Sequence, residues 1–524
     1  MHSQSAAVEA AFNEQPIELI HPVEAIASKP FIEWAILSFL AASAAYMFYF
    51  SSRRIFSFDE MLSYFTEQIH GTGALLRVQS SIPVSLDPPL YHLLGHWALQ
   101  LRLNASMAVR LPSLVGSMFM LAGVYLFTRR LAGSYVAGLA IGGLIIAEDL
   151  HMIEARPYGV LLGAAGLALL LWQNVLRDRW RGASLLGLFL ALGVATSSHY
   201  FGILVALPFL VVECIRAMQR RRLDLPLSAA LLGSYLFAAA WLPFLKAAHQ
   251  YKAAYYTRVH FIDLVRAYSS IVDASLHVRS ALLDVVIAFV VVVLLVCGVY
   301  LGSKISARSE DRRHEWMLVF LLALLPIAGV VLAAAASGAF ETRYVVEFAI
   351  GLSIAISALL MSSTQSKLIK ILFLLLCAIL IAGRFYRDAR QNAQQYSVLE
   401  ALSRHTDSAA PTILADNEEF VRLHYYYPAQ ASNVKWVADM DREIALSGTD
   451  NIDRTMLNLR HFTDLPVITY GDLKQDYKSF ALIESKVTLP PNWLVRQLRR
   501  DGASFRVVAA EGDLTYSQVA LSSR

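Results

Sequence analysis

The stretch SFDEMLSYF, Ser57–Phe65, begins seven residues after the first long apolar run of the chain (31–50) and sets two carboxylates, Asp59 and Glu60, side by side. What they mean depends on what lies around them. An α-helix needs about 20 apolar residues to cross the hydrocarbon core of a bilayer. Further runs of this kind follow at about 111–128, 133–148, 157–173, 182–197, 199–215, 226–245, 281–302, 316–337, 345–361 and 367–385. The pair 182–215 is broken only by SSHY (197–200), which reads as a tight helical hairpin. The chain is therefore expected to be a mainly α, polytopic membrane protein with roughly 11 transmembrane helices, and Asp59 and Glu60 stand just beyond the first.

Composition agrees. Of 524 residues, 56% are hydrophobic and 16% charged, against about a quarter charged in soluble chains. A net charge of +4 leaves no basic footprint for nucleic acid. Cys214, Cys297 and Cys377 each lie inside an apolar run, with neither metal-ligand nor disulfide spacing. Residues 1–30 hold four glutamates and one lysine. They lack the basic start and apolar core of a signal peptide and read as a cytoplasmic leader.

Basic residues set the orientation. Arg129 and Arg130, then Arg177, Arg179 and Arg181, then Arg216 and Arg220 to Arg222, then Lys304, Arg308, Arg312 and Arg313, then Lys367 and Lys370 fall at every second loop. The positive-inside rule makes these cytoplasmic. Loop 51–110, loop 148–157, loop 246–280 and residues 386–524 then face outward. Arg53, Arg54 and the basic loop 246–279 run against the rule. Residues 386–524 are polar and turn-rich, and TILADN (412–417) and FRVVAAE (505–511) read as strands. They form a small extracytoplasmic α/β domain, after a transmembrane domain at 31–385.

Loop 51–110 is patterned. Phe58, Met61, Leu62, Phe65 and Ile69 have helical spacing and predict an amphipathic helix on the membrane surface. DPPLYHLLGHWALQL (87–101) predicts a second, with Leu90, Leu94, Trp97 and Leu101 on one stripe and prolines in its first turn. Locally, Ser57 and Glu60 make a capping box, and Asp87 before Pro88 reads as an N-cap.

Other charges gather at the same level. EDLHMIEARPYG (148–159) packs Glu148, Asp149, His151, Glu154 and Arg156 between two spans. Charge at membrane depth is costly and marks function; the plain alternative is a solvated turn. GAFETRY (338–344) adds Glu341, Arg343 and Tyr344, SSHY adds His199 and Tyr200, and Lys246 and His249 end another span. HYYYPAQ (424–430) could stack on sugar rings or simply pack as a domain edge.

A carboxylate at the bilayer edge can act as general base toward a hydroxyl. Arginines beside it can bind a phosphate and stabilise its departure. A lipid-linked phosphate would bring its own anchor. The mixture points to a transferase using a phospholipid-activated donor. A transporter or flippase for lipid-linked sugars would share the spans and charges. Transporters are often built from inverted repeats and broken helices, and the sequence shows neither.

The order FDE, DPPLYHLL, VRLPSLVG (109–116) and IEARPYG (153–159) resembles the bacterial family 39 glycosyltransferases. These have the GT-C fold and stand with the protein O-mannosyltransferases and the lipid A aminoarabinose transferases. The likeness covers chiefly residues 31–215. It implies inverting transfer of a sugar from a polyprenyl-phosphate donor to a hydroxyl acceptor (lipid, polysaccharide or protein), on the outer face of a bacterial cytoplasmic membrane. The family's first-loop acid falls on Asp59, as general base or acceptor-positioning group, with Glu60 beside it. Arg156 and Arg343 become candidates for the donor phosphate; Glu154 and Tyr158, with His199 and Tyr344, would shape the pocket. One departure matters. Aminoarabinose transferases carry a lysine just before the two prolines, where this chain has Asp87. Phosphate contact then falls to Arg156, Lys246 or Arg343, and an aminoarabinose donor is not supported. Asp59, Glu60 and Asp149 could offer oxygens to a divalent cation, but no metal or other cofactor is expected to be obligatory.

Overall fold

A computed structural model describes residues 30–147, 151–255, 257–273, 281–305, 310–406, 411–485 and 492–522. The leader up to residue 29, Glu148 and Asp149 lie outside the described residues.

Among the described residues, all 11 apolar stretches are helical. Among the described residues, seven helices are long and apolar enough to span a bilayer: Glu33–Ser51, Ala105–Ala132, Tyr158–Leu176, Arg181–Ser198, Tyr200–Arg220, Ala281–Lys304 and Lys367–Thr406. Ser134–Ile146 and Phe348–Ser362 are apolar but shorter. The remaining two are broken. Leu225–Ala240 turns by 53° into Leu242–Tyr251, and Glu310–Ala323 turns by 44° into Leu325–Ser337. Pro243 and Pro326 sit in the first turn of each second half. A proline there lacks the N–H and crowds the carbonyl four residues back. The expectation of unbroken spans is corrected on this point.

Apolar side chains such as Leu282, Phe289, Val293, Leu368, Leu372 and Ile379 stand exposed on the outer helices, as lipid contact requires. Inside, helices Ala105–Ala132 and Tyr158–Leu176 pack backbone to backbone. A Cβ on Gly163 would lie 2.4 Å from the Gly116 carbonyl oxygen, and one on Gly123 2.4 Å from that of Gly166. Small residues permit this approach. The basic turns collect at one end of the bundle, where Arg129 pairs with Glu33, Arg177 with Glu315 and Arg220 with Asp311. Loop 51–110 and the turn before Tyr158 occupy the other end.

There the chain leaves the bundle inside a single 40-residue helix, Lys367–Thr406. It enters a six-stranded sheet of order β3-β2-β1-β4-β6-β5, with β1 Thr412–Leu414, β2 Val434–Ala438, β3 Val467–Thr469, β4 Ser479–Ser485, β5 Ser504–Glu511 and β6 Leu514–Ala520. β1 to β4 are parallel and β6 and β5 antiparallel. Side chains alternate across the sheet. Ile413, Val437 and Leu482 face helices of the domain itself. Leu414, Trp436 and Ile483 share a core with Phe56, Met61, Leu62 and Val109.

That shared core changes the reading of loop 51–110. Helix Phe58–Glu67 is not an interfacial helix with a wet polar face: Glu60, Thr66 and Glu67 are buried as well as Met61 and Leu62. It is sandwiched between bundle and domain. Helix Leu90–Ala98 buries Tyr91, His92, Gly95 and Ala98, while Trp97 of the predicted stripe stays half exposed, as a membrane-surface contact would.

Candidate active site

The site is built on helix Phe58–Glu67. The capping box is present: Ser57 Oγ accepts from the Glu60 amide at 3.4 Å, and the Glu60 carboxylate accepts from the Ser57 amide at 3.0 Å. The same carboxylate meets Arg110 at 2.7 and 2.9 Å, Arg54 at 2.9 Å and the Ala155 amide at 2.8 Å. Burial pushes its pKa up, but Arg110 and Arg54 outweigh this and hold it down at about 2. Arg110 also donates to the carbonyls of Ser51, Arg54 and Ile55. Glu60 thereby fastens the end of the first span, its own helix, helix Ala105–Ala132 and the turn before Tyr158. Grouped with Asp59 by sequence, it points away from the cavity, and its acceptor capacity is spent on structure.

Asp59 lies one residue, about 100°, around the helix and faces the cavity. Its side chain is 35% exposed, while Glu60 and Arg110 are not exposed at all. Its Oδ2 stands 3.1 Å from Arg156 and 3.3 Å from Arg343. Arg156 is positioned by a turn whose carbonyls take hydrogen bonds from helix Ala105–Ala132: Ser113 binds the Arg156 oxygen, and Ser117 binds that of Met152 at 3.0 Å. Arg343 and Tyr344 come from the 3₁₀ turn Thr342–Val345. That turn follows a π-turn, Ala333–Ser337, and Gly338 at φ +74°. Irregular backbone of this kind recurs at functional sites.

Asp59, Arg156, Tyr158, His199, Arg343 and Tyr344 all line one cavity of about 390 Å³, a size suited to a small-molecule substrate. Glu154 and Lys246 do not. Glu154 turns to His151 at 2.9 Å and Arg54 at 3.2 Å, and these partners override burial and hold its carboxyl well below the usual range. Arg54, anomalous under the charge rule, thus has two acidic partners here. Lys246 is exposed on helix Leu242–Ala248, whose Leu245 and Ala248 line the cavity instead. Asp149 is outside the described residues, and no cluster of metal-ligating side chains occurs among those described.

Asp87 was expected to cap a helix. It does not: helix Leu90–Ala98 starts after Pro89 with no side-chain cap. The Asp87 carboxylate lines the cavity, only 9% exposed, with Ser85 Oγ at 3.2 Å and His199 Nε2 at 3.7 Å. The cavity also takes a roof from the C-terminal sheet domain, Thr449, Asn451, Ile452 and Thr455. Tyr251 and Asn458 each donate to the Pro83 carbonyl at 2.9 Å and fix that roof to the strand of chain bearing Asp87. No local motif marks these residues. The HYYYPAQ tyrosines lie elsewhere: Tyr425 packs on Phe56 and Tyr64, and Tyr426 takes the Phe56 amide at 3.0 Å. They hold domain and loop together.

No protein-family model matches the chain, and no curated protein sequence matches it significantly. Among solved structures it is similar to ArnT from Cupriavidus metallidurans in the apo state, with a TM-score of 0.46, 12% identity, and coverage of 94% of this chain and 98% of that one. The same ArnT bound to undecaprenyl phosphate gives 0.44 and 13%, over 93% and 98%. Archaeoglobus fulgidus oligosaccharyltransferase AglB, in complex with an inhibitory peptide and a dolichol-phosphate, gives 0.41 and 12%, over 85% and 70%.

Proposed function

We propose that the protein is a GT-C glycosyltransferase that moves a sugar from a polyprenyl-phosphate donor to a hydroxyl acceptor. The observation that carries this is the bridging of Asp59 by Arg156 and Arg343 on the wall of a roofed cavity at the end of the apolar spans. Two guanidiniums converging on one oxygen make a ready phosphate site. An arriving phosphodiester competes with Asp59 for them and frees its carboxylate. Asp59 then takes the proton of the acceptor hydroxyl as general base. The acceptor oxygen attacks the anomeric carbon from the face opposite the phosphate, the carbon–oxygen bond to phosphate breaks, and configuration inverts. Polyprenyl phosphate leaves with its charge held by Arg156 and Arg343. These two cations supply the positive charge a divalent ion would bring, so the scheme runs without an obligatory metal.

The lipid tail stays among the apolar spans. The basic turns at the far end of the bundle support an outward-facing cavity in the cytoplasmic membrane of a bacterium. With two spans broken, helix continuity no longer separates a transferase from a flippase; the paired acid and arginines favour transfer.

The test uses full-length protein in lipid discs, wild type beside Asp59→Asn. Both receive labelled polyprenyl-phosphate sugars and a membrane and cell-wall extract as acceptor. Label leaving the lipid with wild type alone supports the proposal. Movement of intact labelled lipid across the bilayer, with no transfer, makes the protein a flippase.

A further inference from the structure

The cavity holds two carboxylates in opposite circumstances. Asp59 has two arginine partners. Asp87 has no arginine within ion-pair reach: among the described residues, its only basic neighbour at that distance is His199, and Arg156 feels its charge from farther off. The tautomer of that histidine follows from its backbone contact. His199 Nδ1 accepts the Phe201 amide at 3.2 Å, so a neutral ring carries its proton on Nε2. Nε2 is the atom nearest Asp87, at 3.7 Å, which is beyond a direct hydrogen bond. Ser85 contributes one hydroxyl donor at 3.2 Å. A carboxylate offers about four lone-pair positions, and most of those on Asp87 are left to whatever enters the cavity.

The surroundings restrict what that can be. The rings of Tyr158 and Tyr344 pack within 5.6 and 5.2 Å of the His199 ring, and Tyr158, Tyr200 and Tyr344 line the same cavity. Aromatic faces beside a hydrogen-bond acceptor suit a pyranose, whose C–H face stacks and whose hydroxyls donate. The segment carrying Ser85 and Asp87 is held through Pro83 by Tyr251 and Asn458, so the acceptor is rigidly placed.

We propose that Asp87, supported by Ser85 and His199, recognises the glycosyl ring of the donor by accepting hydrogen bonds from its hydroxyl groups. Phosphate and proton are left to Arg156, Arg343 and Asp59. The inference rests on the donor class proposed above.

The experiment measures equilibrium binding to full-length protein in lipid discs. The probes are undecaprenyl phosphate and its glucosyl, mannosyl, galactosyl and glucosaminyl esters. Wild type should bind at least one neutral hexosyl lipid about tenfold or more tighter than bare undecaprenyl phosphate. Asp87→Ala should abolish that gain while leaving the bare lipid within about twofold; the unchanged bare-lipid affinity also certifies the fold. Asp87→Asn, which keeps the shape but loses acceptor capacity, should retain only part of the gain. The assignment is overturned if Asp87→Ala keeps the hexosyl preference, or weakens bare and hexosyl lipids alike. It is also overturned if no hexosyl lipid outbinds the bare one, or if the amino sugar outbinds every neutral hexose, since that names an ammonium as the Asp87 partner. Failure of wild type to bind bare undecaprenyl phosphate removes the lipid-phosphate reading itself, and this one with it.

Discussion

Arg110 meets Glu60 through two contacts, at 2.7 and 2.9 Å, and neither side chain is exposed. Removing one partner of a buried ion pair strands the other charge and costs about 3–5 kcal/mol. Glu60→Gln and Arg110→Ala should therefore lower the unfolding temperature sharply. A Glu60→Gln protein that melts like wild type but has lost turnover would move Glu60 into the chemistry. The pH dependence has a definite sign. Glu60 has a depressed pKa in the folded protein, so its contribution is complete above the unfolded carboxyl value of about 4.3. It is lost as pH falls from there toward about 2. The acid limb of a stability profile should shrink in Glu60→Gln.

Asp59 should behave in the opposite way. Its carboxylate is 35% exposed, and its partners Arg156 and Arg343 line the same cavity. Asp59→Asn should melt near wild type and lose about 100- to 10,000-fold in turnover, the range for a general base. Turnover within a few-fold of wild type would reduce Asp59 to a partner that parks the two arginines. In the proposed function Arg343→Ala removes one charge-assisted contact to the donor phosphate, worth about 1.5–3 kcal/mol. It should weaken binding of undecaprenyl phosphate by about ten- to a hundredfold; unchanged affinity would take Arg343 out of the phosphate site.

The contrast between neighbours 59 and 60 shows how far local sequence reaches. The spans were legible because hydropathy is a local property, and so was the capping box. The exclusion of Glu60 from the cavity was not, since it depends on Arg110, which sits in VRLPSLVG as one cation within an apolar helix. Its position was itself a signal, because a charge at that depth needs a partner. Asp87 was misread for a related reason. An aspartate before proline has the pattern of a cap, but the helix starts two residues later, and the carboxylate meets a histidine from a distant hairpin. The roof at Thr449 to Thr455 has no local signature, because only the shared core of loop and domain brings it over the site.

The glycine contact between helices Ala105–Ala132 and Tyr158–Leu176 supports both the Asp59 anchor and the Arg156 turn. Gly163→Ala would place a Cβ 2.4 Å from the Gly116 carbonyl oxygen, with backbone and no flexible side chain to give way. Overpacking of this kind costs about 1–3 kcal/mol. Gly182→Ala, in helix Arg181–Ser198, meets nothing within 4 Å and should be neutral or stabilising. Comparable melting of the two variants would show that the helices are not held at backbone distance.

The roof should loosen in alkali. Helix Asn451–Leu459 carries Asn451, Ile452 and Thr455 over the cavity and Asn458 onto Pro83. Its Asp453 is buried, accepting from Trp436 Nε1 at 3.2 Å and the Asp439 amide at 2.7 Å. Glu443 takes the Asp453 amide at 3.0 Å. Burial raises both carboxyls, Asp453 to about 7 and Glu443 to about 8, and their proximity adds to the shift in Glu443. Groups with raised pKa values contribute fully below their unfolded values of about 4. That contribution is lost progressively as pH climbs from there to 7 and 8, above which the folded domain must hold two buried anions together. Hydrogen exchange in 451–459 should accelerate between pH 6 and 9 beyond the intrinsic base-catalysed rise. Glu443→Gln should flatten that excess, because one of the two charges can no longer form. An equal excess in wild type and variant would mean that the pair does not govern the roof.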